Sequence, residues 1–361
     1  MKKKLKVPKV VRSKFAAWST PRRGMANPEV MTNDVWTWLI ETEAWPHSAH
    51  EAAGNGEKQS PGWCFSRYGQ SETQLSDGRT LYIGGEHEDF YDEDFYIYND
   101  VIVKFPDGSI ATLGYPEDIF PPTDFHTATE VGNDVFVIGC LGYPEQRQSD
   151  ATKVYVLDLA SYSIRPFEVE GEQPPSIYKH SARYSAEQNA IFCEGGKSTH
   201  LPTGETVENI ATWRLCLGSG GWTKTFEKPW TRWILVREDE SRNELWELSQ
   251  LEWAEKTGRE DDYTKTYRQA FFERNHTPNI SMFIDRYSPN IEHEKLPDDE
   301  DEFRCHRITV GDVVVRFLED SYSVTVTVEG NLAEDLMSAL KSHGLETLSH
   351  VEGVPYKIIE L

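Results

Sequence analysis

The sequence predicts an all-β propeller of about four or five antiparallel sheets, its ring open or closed, followed by a small α+β domain. Its first ground is a recurring motif. Leu81-Tyr82-Ile83 runs into Gly84-Gly85, Phe136-Val137-Ile138 into Gly139-Cys140, and Ile191-Phe192-Cys193-Glu194 into Gly195-Gly196, so the leading glycines stand 55 and 56 residues apart. Repetition on this scale marks stacked supersecondary units. The second ground is turn chemistry. Asp77-Gly78, Gly132-Asn133-Asp134 and Glu187-Gln188-Asn189 each precede one of these apolar runs, as hairpins require. The third is composition. Eleven Trp and sixteen each of Tyr and Phe suit a pleated surface that packs flat rings.

Each unit supplies four short strands. The first opens on a small hydroxyl residue, Ser71, Thr127 or Ser181, and in the later two units a histidine precedes it, His126 and His180. The glycine-terminated run is the second strand. Asn99–Val103, Lys153–Leu157 and Ala211–Leu215 form the third, and a fourth ends on Leu113, Phe167 or Trp222. A lone four-stranded sheet leaves both faces wet, so neighbours must cover them and the array becomes cooperative. A β-sandwich with coincidental spacing is the competing reading.

The unit resembles the kelch repeat, in which a strand ends in Gly-Gly and Asn-Asp-Val opens the third strand, with an aromatic residue downstream. Asn99-Asp100-Val101 carries that pattern, and so does Asn33-Asp34-Val35-Trp36 with Trp45 beyond it. The resemblance covers residues 13–250, with residues 1–12 as a basic tail. It implies an earlier blade whose second strand is Phe15-Ala16-Ala17-Trp18. Its missing first strand would come from Trp233-Ile234-Leu235-Val236 or Glu244–Leu248. The second unit departs from the pattern, with Cys140 and Phe167 where the family has Gly and Trp. The glycine pairs are expected to be structural, since blades crowd near an axis and only a residue without Cβ fits there.

The first unit carries an unusual connection between its second and third strands. Glu86, Glu88, Asp89, Asp92, Glu93 and Asp94 share ten residues with Phe90, Tyr91 and Phe95. Acid and aromatic residues together suit a protein partner rich in Lys and Arg, the rings as anchors and the carboxylates as steering charge. A solvated, charge-repelled loop is the plain alternative, and calcium is a weaker reading, because no known ligand spacing and no turn glycine is present.

Residues 251–302 are expected to hold helices, Leu251–Lys256 and Tyr263–Arg274, ahead of an acidic linker at Pro297–Glu302. Tyr267, Phe271 and Phe272 would form a stripe packed on the propeller. Residues 303–361 are expected to form a ββαββ unit. Its strands are Ile308–Phe317 and Tyr322–Glu329, then Leu345–Ser349 and Tyr356–Leu361. Its helix is Leu332–Ser342, capped at His343-Gly344. The general shape resembles small α/β appendages of bacterial immunity-type proteins.

Charge and motif content narrow the function. The net charge is −23, and the first 25 residues hold nine Lys/Arg without an acid, so the remainder is more acidic still. Such a field repels a phosphate backbone and attracts a basic protein. No run of apolar residues has membrane-spanning length, and no secretory leader is expected. Five cysteines without C-x-x-C spacing suit reduced, buried thiols in a cytoplasmic protein. No nucleophile elbow or phosphate-cradling loop is present. His126 and His180 are expected to be structural, and no metal, cofactor or catalytic residue is expected. The resulting expectation is a non-catalytic, cytoplasmic bacterial protein-binding module, in its sharpest form an immunity protein against a basic toxin or effector. The alternatives are a kelch-scaffold lyase or isomerase acting on a sugar acid, and an adaptor dimerising through a sheet edge.

Overall fold

The computed structural model describes residues 5–54, 62–87, 95–143, 151–200, 204–274, 276–299 and 302–361. The chain is mostly strand, in several sheets, with seven helices among the described residues. It divides into two compact units, Met1–Glu227 and Lys228–Leu361. The boundary lies well before the expected residue 250.

In the first unit each predicted repeat forms one antiparallel meander. The first sheet runs Ser71–Gln74, Thr80–Ile83, Val101–Lys104, Ile110–Gly114; the second runs Thr127–Val131, Asp134–Ile138, Val154–Asp158, Ile164–Pro166; the third runs Ser181–Ser185, Ala190–Glu194, Ala211–Cys216, Gly221–Glu227. Ser71, Thr127 and Ser181 are the opening residues of their sheets.

Alternation along the strands explains how these sheets stay dry. Strand side chains point to opposite faces with period two. Leu81, Ile83, Val101 and Val103 of the first sheet share a buried cluster with Val135, Val137 and Leu157 of the second. The intervening residues Phe136, Ile138, Val154 and Val156 pack instead with Ile191, Cys193, Trp213 and Leu215 of the third. Each fully buried side chain of this size contributes about 1.5–3 kcal/mol relative to exposure. The first two sheets are therefore buried on both faces, and this fixes their register.

The first sheet's other face meets helices, not another sheet. Helix α1 spans Lys9–Trp18, α2 Asp34–Thr42 and α3 Pro46–Ala53. Phe15, Trp36 and Leu39 pack with Tyr98 and Ile102, and Trp36 stacks on Trp63 at 4.7 Å between ring centroids. This corrects the expected N-terminal blade. Phe15–Trp18 ends a helix. Asn33 caps the next one, its side chain accepting from the Val35 and Trp36 amides, and capping is a role Asn fills as readily as a turn before a strand. Residues 9–12 begin α1 with Val11 buried, so 1–12 is not a basic tail as a whole. Three repeat sheets, not four or five, are present among the described residues. The N-terminal segment instead closes sheet edges. Glu29–Val30 pairs antiparallel with Leu113–Gly114. Asn27 exchanges two side-chain hydrogen bonds with the Ile164 backbone, at 2.7 and 2.8 Å.

The second unit is built on a six-stranded antiparallel sheet in the order Glu294–Lys295, Cys305–Val310, Val313–Glu319, Ser323–Val328, Thr231–Arg237, Tyr356–Glu360. The run Trp233–Val236, expected to close the propeller, is thus an inner strand here, paired on both sides. Helices α4 (Leu245–Thr257), α5 (Asp262–Glu273), α6 (Ile280–Ile284) and α7 (Glu334–Glu352) complete the unit. Glu244–Leu248 therefore leads into a helix and is no blade strand. Phe271, with Tyr267 packed against it, belongs to this unit's own core, whereas Phe272 points outward and leaves the stripe. Residues 297–299 are no linker: the Asp299 amide bonds the Cys305 carbonyl at 3.0 Å.

Two further expectations fail for local reasons. Ile308–Phe317 is not one strand, because Gly311 takes φ +60° and folds it into a hairpin pairing Val310 with Val313. The expected helix cap at Gly344 and strand at Leu345–Ser349 are both interior to α7, which ends at Glu352 with Gly353 as its cap. A Cβ on Gly344 would lie 2.8 Å from Leu235 Cδ1, so this glycine lets the helix press onto the sheet. The region is β-β-β-α-β, not ββαββ.

Candidate functional site

The acid-rich connection of the first unit begins and ends in structure. Glu86–His87 and Tyr96–Ile97 form a two-stranded antiparallel ladder. Glu86 and His87 are buried, so Glu86 is part of the scaffold and not of an exposed loop. Glu88, Asp89, Phe90, Tyr91, Asp92, Glu93 and Asp94 lie outside the described residues. Phe95 is half-buried and meets the Tyr143 ring edge-on at 5.6 Å, and Tyr143 Oη accepts from the Ile97 amide at 2.9 Å.

A buried ion pair holds this base. Arg67 and Asp100 have side chains 0% and 3% exposed. Arg67 Nη2 donates to Asp100 Oδ2 at 3.0 Å, Nε to the Cys64 carbonyl at 2.8 Å and Nη1 to the Gly84 carbonyl at 2.9 Å. Its guanidinium lies 3.5 Å from the centroid of the Tyr98 ring. The indole of Trp63 donates to Asp100 Oδ2 at 2.9 Å. The pair thereby ties the glycine end of one strand to the Asn-Asp-Val start of the next, the two points from which the hairpin departs. Beside the hairpin stand two exposed rings. Tyr68 is 55% exposed and exchanges backbone hydrogen bonds with Glu86, while Trp45, 48% exposed, lies 6.4 Å from the His87 ring.

The repeat histidines form joints between sheets. His126 Nε2 is 2.8 Å from Ser71 Oγ, and His180 Nε2 is 3.1 Å from Thr127 Oγ1. Each histidine thus reaches back to the opening hydroxyl of the preceding sheet. The glycine positions lie at the same joints. A Cβ on Gly84 would lie 2.1 Å from the Thr123 carbonyl oxygen, and one on Gly139 2.2 Å from that of Ile177. Gly195 has nothing within 4 Å, and among the described residues no further repeat sheet follows it. Among the described residues, no group of three or more His, Cys, Asp or Glu is placed to hold a metal ion. All five cysteines are free thiols.

Burial lowers His126 to about 3, with the neighbouring His180 adding to the effect, and lowers His180 to about 4. Both imidazoles are therefore neutral at pH 7. An unfolded histidine titrates near 6.5, so the unfolded chain binds more protons below that pH. Stability from these joints is full above about pH 6.5 and falls as the pH drops toward the folded values. At pH 5 each histidine is expected to cost about 2 kcal/mol relative to pH 7. Imidazole resonances should show both side chains still neutral at pH 5. A titration midpoint near 6.5 for either would contradict the buried joint.

Sequence reading located the acid-rich connection, the glycines and the two histidines, but not the short ladder at the base of that connection. It did not find Arg67 as the partner of Asp100, since the two lie 33 residues apart with no periodic signal. It also missed a polar cavity in the second unit, assembled from Arg286, Tyr287, Arg304, His306 and Glu319. No protein-family model and no curated protein matches the chain. Among the described residues no helix is long and apolar enough to cross a membrane.

Proposed function

We propose that the first unit is an open, kelch-like propeller array that binds a basic protein partner through the hairpin between Glu86 and Ile97. The observation that carries this reading is the anchored base. The ladder and the Arg67–Asp100 pair hold both ends of a seven-residue stretch with five carboxylates and two rings, flanked by the exposed Trp45 and Tyr68. Pre-organised ends reduce the ordering cost of binding. Exposed aromatic residues are the side chains that most often dominate interface energies. The carboxylates speed encounter with a cationic surface. Three stacked sheets with recurring His–hydroxyl joints support the propeller part of the reading.

The sharper form is that the partner is a basic toxin or effector which this cytoplasmic protein neutralises without catalysis. Its test is coexpression of such a partner with the native chain and with a variant carrying Glu88→Gln, Asp89→Asn, Asp92→Asn, Glu93→Gln and Asp94→Asn. The native chain should relieve toxicity and the variant should not. For the isolated pair, affinity should weaken at least about tenfold between roughly 50 and 500 mM salt. Trp45→Ala or Tyr68→Ala should weaken it by about 2 kcal/mol. An affinity indifferent to salt and to the five neutralised carboxylates would sink the proposal.

A further inference from the structure

The second unit holds a cavity whose charge runs against that of the chain. It has a volume of about 410 Å³ and lies between α4, the end of α6 and the strands Cys305–Val310 and Val313–Glu319. At its floor is Glu319, a buried carboxylate held by two guanidinium groups. Arg286 Nε donates to Oε1 at 2.7 Å, and Arg304 donates to Oε2 through Nε at 3.0 Å and Nη2 at 2.6 Å. Tyr287 Oη donates to Oε1 at 2.8 Å. Burial alone would raise the Glu319 carboxyl, but Arg286 and Arg304 together hold it below its ordinary value. It is therefore an anion, and two cations share it.

Two guanidinium groups share the Glu319 carboxylate, and the full lining holds four cations, Arg286, Lys295, Arg304 and Arg307, against three acids, Glu252, Asp298 and Glu319. Arg286 Nη2 also donates to His306 Nε2 at 3.0 Å, which makes that nitrogen the unprotonated one and leaves His306 Nδ1–H to donate to Asp298 Oδ1 at 3.1 Å. Asp298 is thereby engaged. Arg304 Nη1 has no hydrogen-bond partner among the described residues, and its guanidinium lies 5.7 Å from the Trp246 ring. Lys295 and Arg307 also line it, paired with Asp285 at 3.2 Å and with Asp299 at 3.6 Å. The mouth is aromatic. Trp246 and Phe303 are 39% and 77% exposed, their centroids 6.3 Å apart.

We propose that this cavity binds a small aromatic carboxylate, its ring against Trp246 and Phe303 and its carboxylate on the free edge of Arg304. The volume fits one such molecule, since ligand pockets run from about 300 Å³ upward. A guanidinium recognises a carboxylate through paired N–H donors. Apolar walls with a few convergent polar groups are what small-ligand sites share.

Phenylacetate is a suitable probe, titrated against the full chain by calorimetry and by tryptophan fluorescence. Saturable binding at or below about 1 mM is expected. Phenylacetamide, which lacks the charge, and acetate, which lacks the ring, should each bind at least about tenfold more weakly. Arg304→Gln should weaken phenylacetate at least about tenfold, and Trp246→Ala about fivefold. Circular dichroism shows whether Arg304→Gln still folds; if it does not, the half-exposed Trp246→Ala variant decides alone. No saturation up to about 10 mM phenylacetate, acetate binding as well, or affinity unmoved by the deciding variant would each overturn the proposal.

Discussion

Gly84→Ala and Gly139→Ala should each destabilise the first unit by more than about 3 kcal/mol, whereas Gly195→Ala should cost only about 1–2 kcal/mol. All three glycines have positive φ, +56°, +79° and +64°, so a methyl group strains the backbone similarly at each. Only the first two also meet a carbonyl oxygen of the chain leading into the following sheet, at 2.1 and 2.2 Å from the ideal Cβ. Separations that short force the sheets apart and expose the side chains shared between them. Urea titrations of the three variants measure the contrast. Equal losses at all three positions would mean that backbone strain, and not the joint between sheets, is what these glycines relieve.

The Arg67–Asp100 pair is the second sensitive point. Asp100→Ala leaves a buried guanidinium without its counter-charge and removes the acceptor of the Trp63 indole. A loss of about 3–5 kcal/mol is expected. Arg67→Leu should cost a similar amount, because it strands the carboxylate and frees the carbonyls of Cys64 and Gly84. The double variant should lose at least about 1 kcal/mol less than the two single losses combined, since it leaves no lone charge. Strict additivity in denaturant titrations would show that the two side chains act separately.

The parts of the fold that could be read from the sequence were those written in local chemistry. Gly84, Gly139 and Gly195 fall at corresponding points of three meanders because each must turn the chain out of the same strand. Ser71, Thr127 and Ser181 mark the strand starts for a related reason: two of them receive the histidine of the next sheet. The errors arose where one residue type serves two purposes. Asn33 caps a helix where the same Asn-Asp-Val triplet at Asn99 opens a strand, and only the tertiary partners differ. At Asn99 the side-chain amide donates to the Tyr115 and Phe120 carbonyls; at Asn33 the carbonyl oxygen accepts from helix amides. Gly344 had the look of a helix end but is a contact glycine against Leu235, which lies more than a hundred residues away. The strand Thr231–Arg237 carries an apolar run that any sheet would accept, so its sequence could not say which sheet takes it. The Glu319 cluster draws its members from three separate segments, and no spacing rule links them.

Hydrogen exchange at two amides tests most directly whether the repeat sheets are joined as described. The Gly85 amide donates to the Thr123 carbonyl at 2.8 Å and the Cys140 amide to the Ile177 carbonyl at 3.2 Å, each reaching the segment that leads into the following sheet. Both amides should exchange as slowly as those of Leu81 and Val137 within their own strands, opening only when the array opens. Exchange of Gly85 and Cys140 at the rate of an exposed turn, with the strand amides still protected, would mean that each sheet stands alone. It would also leave the acid-rich hairpin without the fixed base on which its proposed role depends.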